Sequence, residues 1–84
     1  MRAQDILPDH LDEVRHNGTT IRKGSVGAFL ANAVALEAPG THDDDRAALL
    51  RDIEELLPAL RALGLFDVFD IRNPQLRAFV DARP

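Results

Sequence analysis

The aliphatic side chains Leu49, Leu50, Ile53, Leu56, Leu57, Leu60 and Leu63 recur at helical spacing, with Arg51, Asp52, Glu54, Glu55 and Arg61 falling between them. That period puts the apolar groups on one stripe of a helix and the charges on its other side. A long helix with one apolar stripe must bury that stripe, so the rest of the chain has to supply its cover. The acids Asp43, Asp44 and Asp45 sit where the positive end of the helix dipole favours them. Gly64 is the expected stop. Pro58 lies inside this pattern, where its ring meets the carbonyl of residue 54 and one N–H is lost. Because the stripe keeps its phase across Pro58, the spacing predicts one helix over 43–63, kinked at the proline, in preference to two separate ones.

The cover must come from a short chain. Eighty-four residues make one domain, and chains of this size bury only about two-thirds of their unfolded surface. Apolar residues are 45% and charged residues 29%, the balance of a folded globular domain. There is no cysteine, so thiolate metal sites, thiol nucleophiles and disulfides are excluded within these residues. Small secreted domains usually depend on disulfides, which makes a cytoplasmic location the expectation. The longest weakly polar stretch, Val26 to Leu36, is too short to span a bilayer and is rich in alanine. The start of the chain, with Asp5 and Pro8, lacks the unbroken apolar run of a signal peptide.

Residues 1–10 show no period and read as a loosely held arm. Asn17-Gly18 then separates two short runs and is a strong hairpin signal, since both residues accept the positive φ of a type I′ turn. A two-residue loop places His16 opposite Thr19, Val14 opposite Ile21, Glu13 opposite Arg22 and Asp12 opposite Lys23. Two of those pairs are complementary charges and one joins β-branched side chains. The hairpin is predicted over 11–23. A lone hairpin is marginal, so Val14 and Ile21 need something to dock on.

Gly24-Ser25 ends the second strand, and Ser25 is the expected N-cap of a helix over 25–37 that stops before Pro39-Gly40. Val26, Phe29, Leu30, Ala33 and Val34 form the expected core face. The other side carries Ala28, Ala31 and Ala35, with Asn32 its one strongly polar group. A helix apolar all round is expected to be buried all round. At the end of the chain, Asn73 as N-cap and Pro74 at the first helical position start a short helix over 74–81, with Leu76, Phe79 and Val80 inward. The alternating segment 65–71 fits a strand or a tight helical turn, and length and period do not choose between them. The fold class expected is therefore mainly α with one N-terminal β-hairpin.

Two stretches carry a resemblance. The hairpin leading into residues 23–32, and Leu57-Pro58 leading into Gly64-Leu65-Phe66-Asp67-Val68-Phe69, are similar to a family of short, uncharacterised bacterial proteins, over roughly residues 14–80. The resemblance implies one compact domain in which Pro58 and Gly64 are structural features. It implies no functional residues.

The chemical motifs are weak. His10, His16 and His42 are scattered between the arm, the turn and a linker, whereas a metal site needs ligands on rigid elements. His42 with Asp43–Asp45 reads as a solvated helix start, and no metal or cofactor is expected. The only serine, Ser25, has a capping role to fill and no histidine fixed beside it, so catalysis is not expected. Net charge is −4, which disfavours nucleic acid. Gly24-Ser25-Val26-Gly27 spells the G-x-x-G of an RNA-clamping loop, but it follows a hairpin in an acidic chain. Arg22, Lys23 and Ser25, with the free amides of the turn at 23–28, form a candidate anion- or nucleotide-sensing site. The leading expectation is a small protein-interaction or scaffold module able to self-associate. Its candidate interface is the smooth stripe Ala28, Ala31 and Ala35 together with Phe66 and Phe69.

Overall fold

The structure, a computed structural model, describes Arg2, residues 13–16 and residues 18–84. Strand β1 (Glu13–His16) pairs antiparallel with β2 (Thr19–Arg22). The register places Glu13 opposite Arg22, Val14 opposite Ile21, Arg15 opposite Thr20 and His16 opposite Thr19. Gly18 takes φ +79°, the left-handed conformation that a tight turn between such strands demands. Asn17, the Asp12–Lys23 pair, the start of the hairpin at Leu11 and the arm of residues 1–10 (apart from Arg2) lie outside the described residues. Ile21 is buried and β2 packs on the long helix, which provides the docking that so small a ribbon requires.

Helix α1 spans Ser25–Glu37, α2 spans Asp43–Leu63, α3 is the single turn Leu65–Val68, and α4 spans Pro74–Asp81. Pro58 lies inside an unbroken α2. Its exposed side of the helix gives the unpaired carbonyl of residue 54 access to water. Gly64, at φ +82° and ψ +21°, is at once the C-cap of α2 and the N-cap of α3. Its N–H donates to the Arg61 carbonyl at 3.0 Å while its own carbonyl accepts from Asp67 N at 3.1 Å. One left-handed residue thus ends one helix and begins the next in a new direction. Segment 65–71 is accordingly a helical turn followed by extended chain, not a strand.

The core forms where α1, α3 and α4 converge on the α2 stripe. Ile53, Leu57 and Leu60 are its fully buried centre, joined by Phe29, Leu36, Leu76 and Val80. Leu49, Leu50, Leu56, Leu65, Phe66, Ile71 and Phe79 pack around them half-buried. Each fully buried aliphatic side chain is worth about 1.5–3 kcal/mol relative to exposure, so these few residues supply most of the cohesion. No helix among the described residues is long and apolar enough to cross a membrane.

Polar groups tie the chain ends to this core. The Arg61 guanidinium donates to the carbonyls of Val80 (3.0 Å), Arg83 (2.7 Å) and Pro84, holding the end of α4 against α2. Arg83 lies over the Phe79 ring, 3.4 Å from its centroid, and its Nε donates to Glu54 Oε1 at 3.1 Å. Arg46 donates to the Leu36 carbonyl at 2.5 Å and Thr41 Oγ1 to the Ala35 carbonyl at 2.9 Å. The Arg46 bond serves a carbonyl in the last turn of α1, and the Thr41 bond adds a second donor to the Ala35 carbonyl, which also accepts from Ala38 N at 3.2 Å.

Two expectations about α1 need correction. Ser25 is not the N-cap. Gly24, at φ +87°, occupies that position and its carbonyl accepts the first helical bond from Ala28 N at 2.8 Å. Ser25 is the first helical residue, buried, and its Oγ donates back to the Arg22 carbonyl at 2.8 Å. The left-handed glycine moves the helix start one residue earlier and turns the hydroxyl inward. Nor is α1 buried all round. The side facing the core carries Ser25, Phe29 and Leu36, while Leu30 and Val34, expected in the core face, are exposed. At about 100° per residue the helix is rotated by roughly a quarter turn from the expected phase. Its single charge, Glu37, leaves the apolar pattern too uniform to set that phase from within the helix. Contacts with Ile53, Leu57 and Phe66 set it instead.

Replacing Gly18 by valine is expected to destabilise the domain by about 1–2 kcal/mol, the cost of a left-handed conformation for a residue with Cβ. Among the described residues no atom within 4 Å would meet the added Cβ, so the expected cost is backbone strain. Gly18→Asn should melt much closer to the original, and equal melting of all three chains would contradict the turn. Asn73 Oδ1 accepts from Gln75 N and Leu76 N, both at 2.9 Å. Asn73→Ala is expected to cost about 1 kcal/mol in a urea melt.

Candidate functional site

The quarter-turn rotation of α1 leaves apolar surface without a cover. On one side of a groove stand Val26, Phe29, Leu30, Ala33 and Val34 of α1; on the other, Leu65, Phe66, Phe69 and Ile71. The groove encloses about 500 Å³. Its inner end is fixed by the edge-to-face contact of Phe29 with Phe66, ring centroids 5.8 Å apart at 73°. Its far end is closed by polar groups. Asn73 Nδ2 donates to Glu37 Oε1 at 2.5 Å, so the residue that caps α4 also ties α4 to the end of α1.

The rims carry large apolar side chains that are exposed. Leu30 is 57% exposed, Val34 70% and Phe69 64%; Val68, 78% exposed, lies outside the groove lining. Phe69 follows α3 in extended conformation (φ −115°, ψ 142°), which directs the chain away from the core after a single helical turn. Charge is confined to the edges, where Glu37, Asp70 and Arg72 border the groove. Asp70 lies 3.9 Å from Arg77, both exposed, a pair of little energetic weight.

The residues singled out in the sequence divide unevenly over this surface. Ala28 and Ala31 are exposed and Ala35 is half-buried, so the small-residue stripe faces outward beside Leu30 and Val34. Phe66 is half-buried in the groove wall and Phe69 stands on the rim. Leu30, Val34 and Ile71 complete the site and were missed. The signal that finds Leu30 and Val34 is the excess of apolar residues on α1 over what its few neighbours can cover. The three candidate anion ligands stand in different surroundings. Arg22 is exposed and lies 3.8 Å from Glu13, Lys23 is exposed, and Ser25 is buried with its hydroxyl committed to Arg22's carbonyl.

The histidines and acids form no constellation. His42 is exposed at the N-cap position of α2 without a side-chain capping bond, and Asp43, Asp44 and Asp45 are exposed in the first turn. His10 lies outside the described residues. No group of three or more potential metal ligands converges among the described residues. Ser25 is the one buried polar residue among them, and no buried side-chain nitrogen or oxygen lacks a partner. What the arrangement offers chemically is apolar area in a concave shape with charges at its margin. Comparison with known proteins finds no family model, no curated protein and no solved structure that matches the chain.

Proposed function

We propose that the protein is a small protein-interaction module whose working surface is the outer face of α1 and the groove beside it. The observation that carries this reading is the meeting of Leu30, Val34 and Phe69, all exposed, around one concave apolar site. Contiguous exposed apolar patches rimmed by charge are characteristic of surfaces that other proteins cover. Aromatic side chains are enriched at surfaces that other proteins cover, and Phe69 is one. A groove with a helix for one wall suits an apolar helical face, which is held by side chains at i, i+3 and i+4 spacing. The net charge of −4 favours a protein occupant over nucleic acid. The lack of cysteine and the resemblance of residues 14–80 to short bacterial proteins support a place in a bacterial cytoplasm.

The cysteine-free sequence makes the test direct. A benzophenone cross-linker attached at Val34→Cys is expected, on irradiation in extract of the organism that makes the protein, to yield adducts of defined mass. The same probe at Glu55→Cys, on the exposed side of α2, should yield none of them, and adding Leu30→Glu should abolish them. Equal adduct patterns from the two positions would overturn the reading.

A further inference from the structure

We propose that the occupant of this surface is a second copy of the chain, bound through an antiparallel pairing of the two α1 helices about a two-fold axis near Ala31. The inference rests on the reading of the α1 face as a contact surface and adds the identity and direction of the partner. Two observations carry it.

The first is the distribution of charge on α1. Helix α2 follows the usual rule, with Asp43, Asp44 and Asp45 in its first turn and Arg61 in its last. Helix α1 inverts it. There is no acid in its first turn and no base in its last. Arg22 and Lys23 immediately precede its positive end, and Glu37 stands at its negative end. The charges carried by the residues flanking α1 in sequence therefore add to its dipole, giving the helix a positive start at Arg22 and Lys23 and a negative finish at Glu37, partly offset by Glu13 beside Arg22 and by Arg46 at the Leu36 carbonyl. Arg46 serves the Leu36 carbonyl from α2, while Glu37 remains exposed at the end of the groove. An antiparallel second copy brings its own Arg22, Lys23 and helix start beside Glu37, and the two-fold axis makes the same match at the other end. Parallel pairing would set like charges and like dipole ends together, so complementarity selects the antiparallel arrangement.

The second is the shape of the exposed face. Gly27 and Ala31 are small and one turn apart, and Leu30 and Val34 are large and one turn apart beside them. Each α1 thus carries a shallow channel next to a ridge, the pattern that lets two helices interdigitate. With the axis at Ala31, Val34 of one copy comes level with position 28 of the other, between Gly27 and Ala31. A two-fold interface uses one patch twice, and this patch presents both halves of the match. A pair of short helices alone falls below the roughly 800 Å² per partner of a stable complex. The exposed Phe69 across the groove lies where it extends the contact, closing over the partner helix.

The test uses the purified chain in low salt, followed by peptide-bond absorbance because there is no Trp or Tyr. Sedimentation is expected to give twice the 9.3 kDa chain mass. Leu30→Glu should sediment at the single-chain mass with helical circular dichroism intact. The directional arm uses two variants, Glu37→Arg and the double change Arg22→Glu with Lys23→Glu. Each alone should weaken association about tenfold or more through like-charge contacts, and an equimolar mixture should recover the dimer. Ala31→Cys should form an inter-chain disulfide on mild oxidation while Gly27→Cys should not, since only positions near the axis meet their own copies. Single-chain mass for the unmodified protein throughout would overturn the inference. If Val34 nevertheless cross-links selectively to a different protein, the interaction reading stands and only the identity of the partner falls. A dimer in which Gly27→Cys cross-links as readily as Ala31→Cys, or in which the mixture fails to recover association, would equally overturn the antiparallel pairing.

Discussion

Burial of Ile53, Leu57 and Leu60 on α2 is the constraint to which the other described elements answer, because these three side chains are almost wholly removed from water and touch groups from several directions. Phe29 and Leu36 arrive from α1, Leu76 and Val80 from α4, and Leu65 and Phe66 from the turn that follows Gly64. The short connections leave little freedom in this convergence. Gly64 ends α2 and begins α3 within one residue, and Asn73 and Pro74 restart a helix at the level where Leu76 reaches the core. Marginal stability is intrinsic to a chain of this length, so an unfilled position at the centre of α2 would be felt throughout.

The same economy produces the groove. Helix α1 has two apolar sides, and α2 covers one of them. The elements left over are a single helical turn, an extended segment and an eight-residue helix, which pack beside α1 on the same α2 stripe and stop short of the outer face of α1. Apolar surface is left over because the sequence contains more of it than three short elements can enclose. Its margins are stiffened by polar contacts: the Asn73–Glu37 hydrogen bond at one end and the Phe29–Phe66 ring contact within. A concave surface held in this way loses little entropy on being covered, which favours its use as a contact.

Arginine does much of the joining between elements. Arg61 gathers three carbonyls at the end of α4, Arg46 takes one from the end of α1, and Arg83 stacks on Phe79 while its Nε donates to Glu54. A planar guanidinium with several donors suits this task, because each helix end exposes carbonyls pointing in slightly different directions. None of these roles shows as a period or a motif. Apart from the stacking of Arg83 on Phe79, four residues away, they join residues separated by about ten to thirty positions in sequence, which only folding brings together.

Local rules are legible wherever the governing group is a neighbour in sequence. The α2 stripe keeps one phase from Leu49 to Leu63, Asn73-Pro74 spells a helix start, and Gly64 a helix stop, so the bounds of α2 and α4 follow from the chain alone. Ser25 shows the limit of that logic. Both Gly24 and Ser25 suit a helix start, and the choice fell to the inward hydrogen bond with Arg22, which exists only once the strand and helix are joined. Segment 65–71 was ambiguous for a related reason, since its alternation fits a strand while its contacts with Phe29 and the core favour a turn. The outward turn of Leu30 and Val34 is the clearest case of tertiary decision. A nearly uniform apolar helix contains no internal preference for one face, so the sequence determined that α1 would form and how much apolar surface it would carry. Packing against α2 and Phe66 decided which part of that surface went to the core and which was left facing outward.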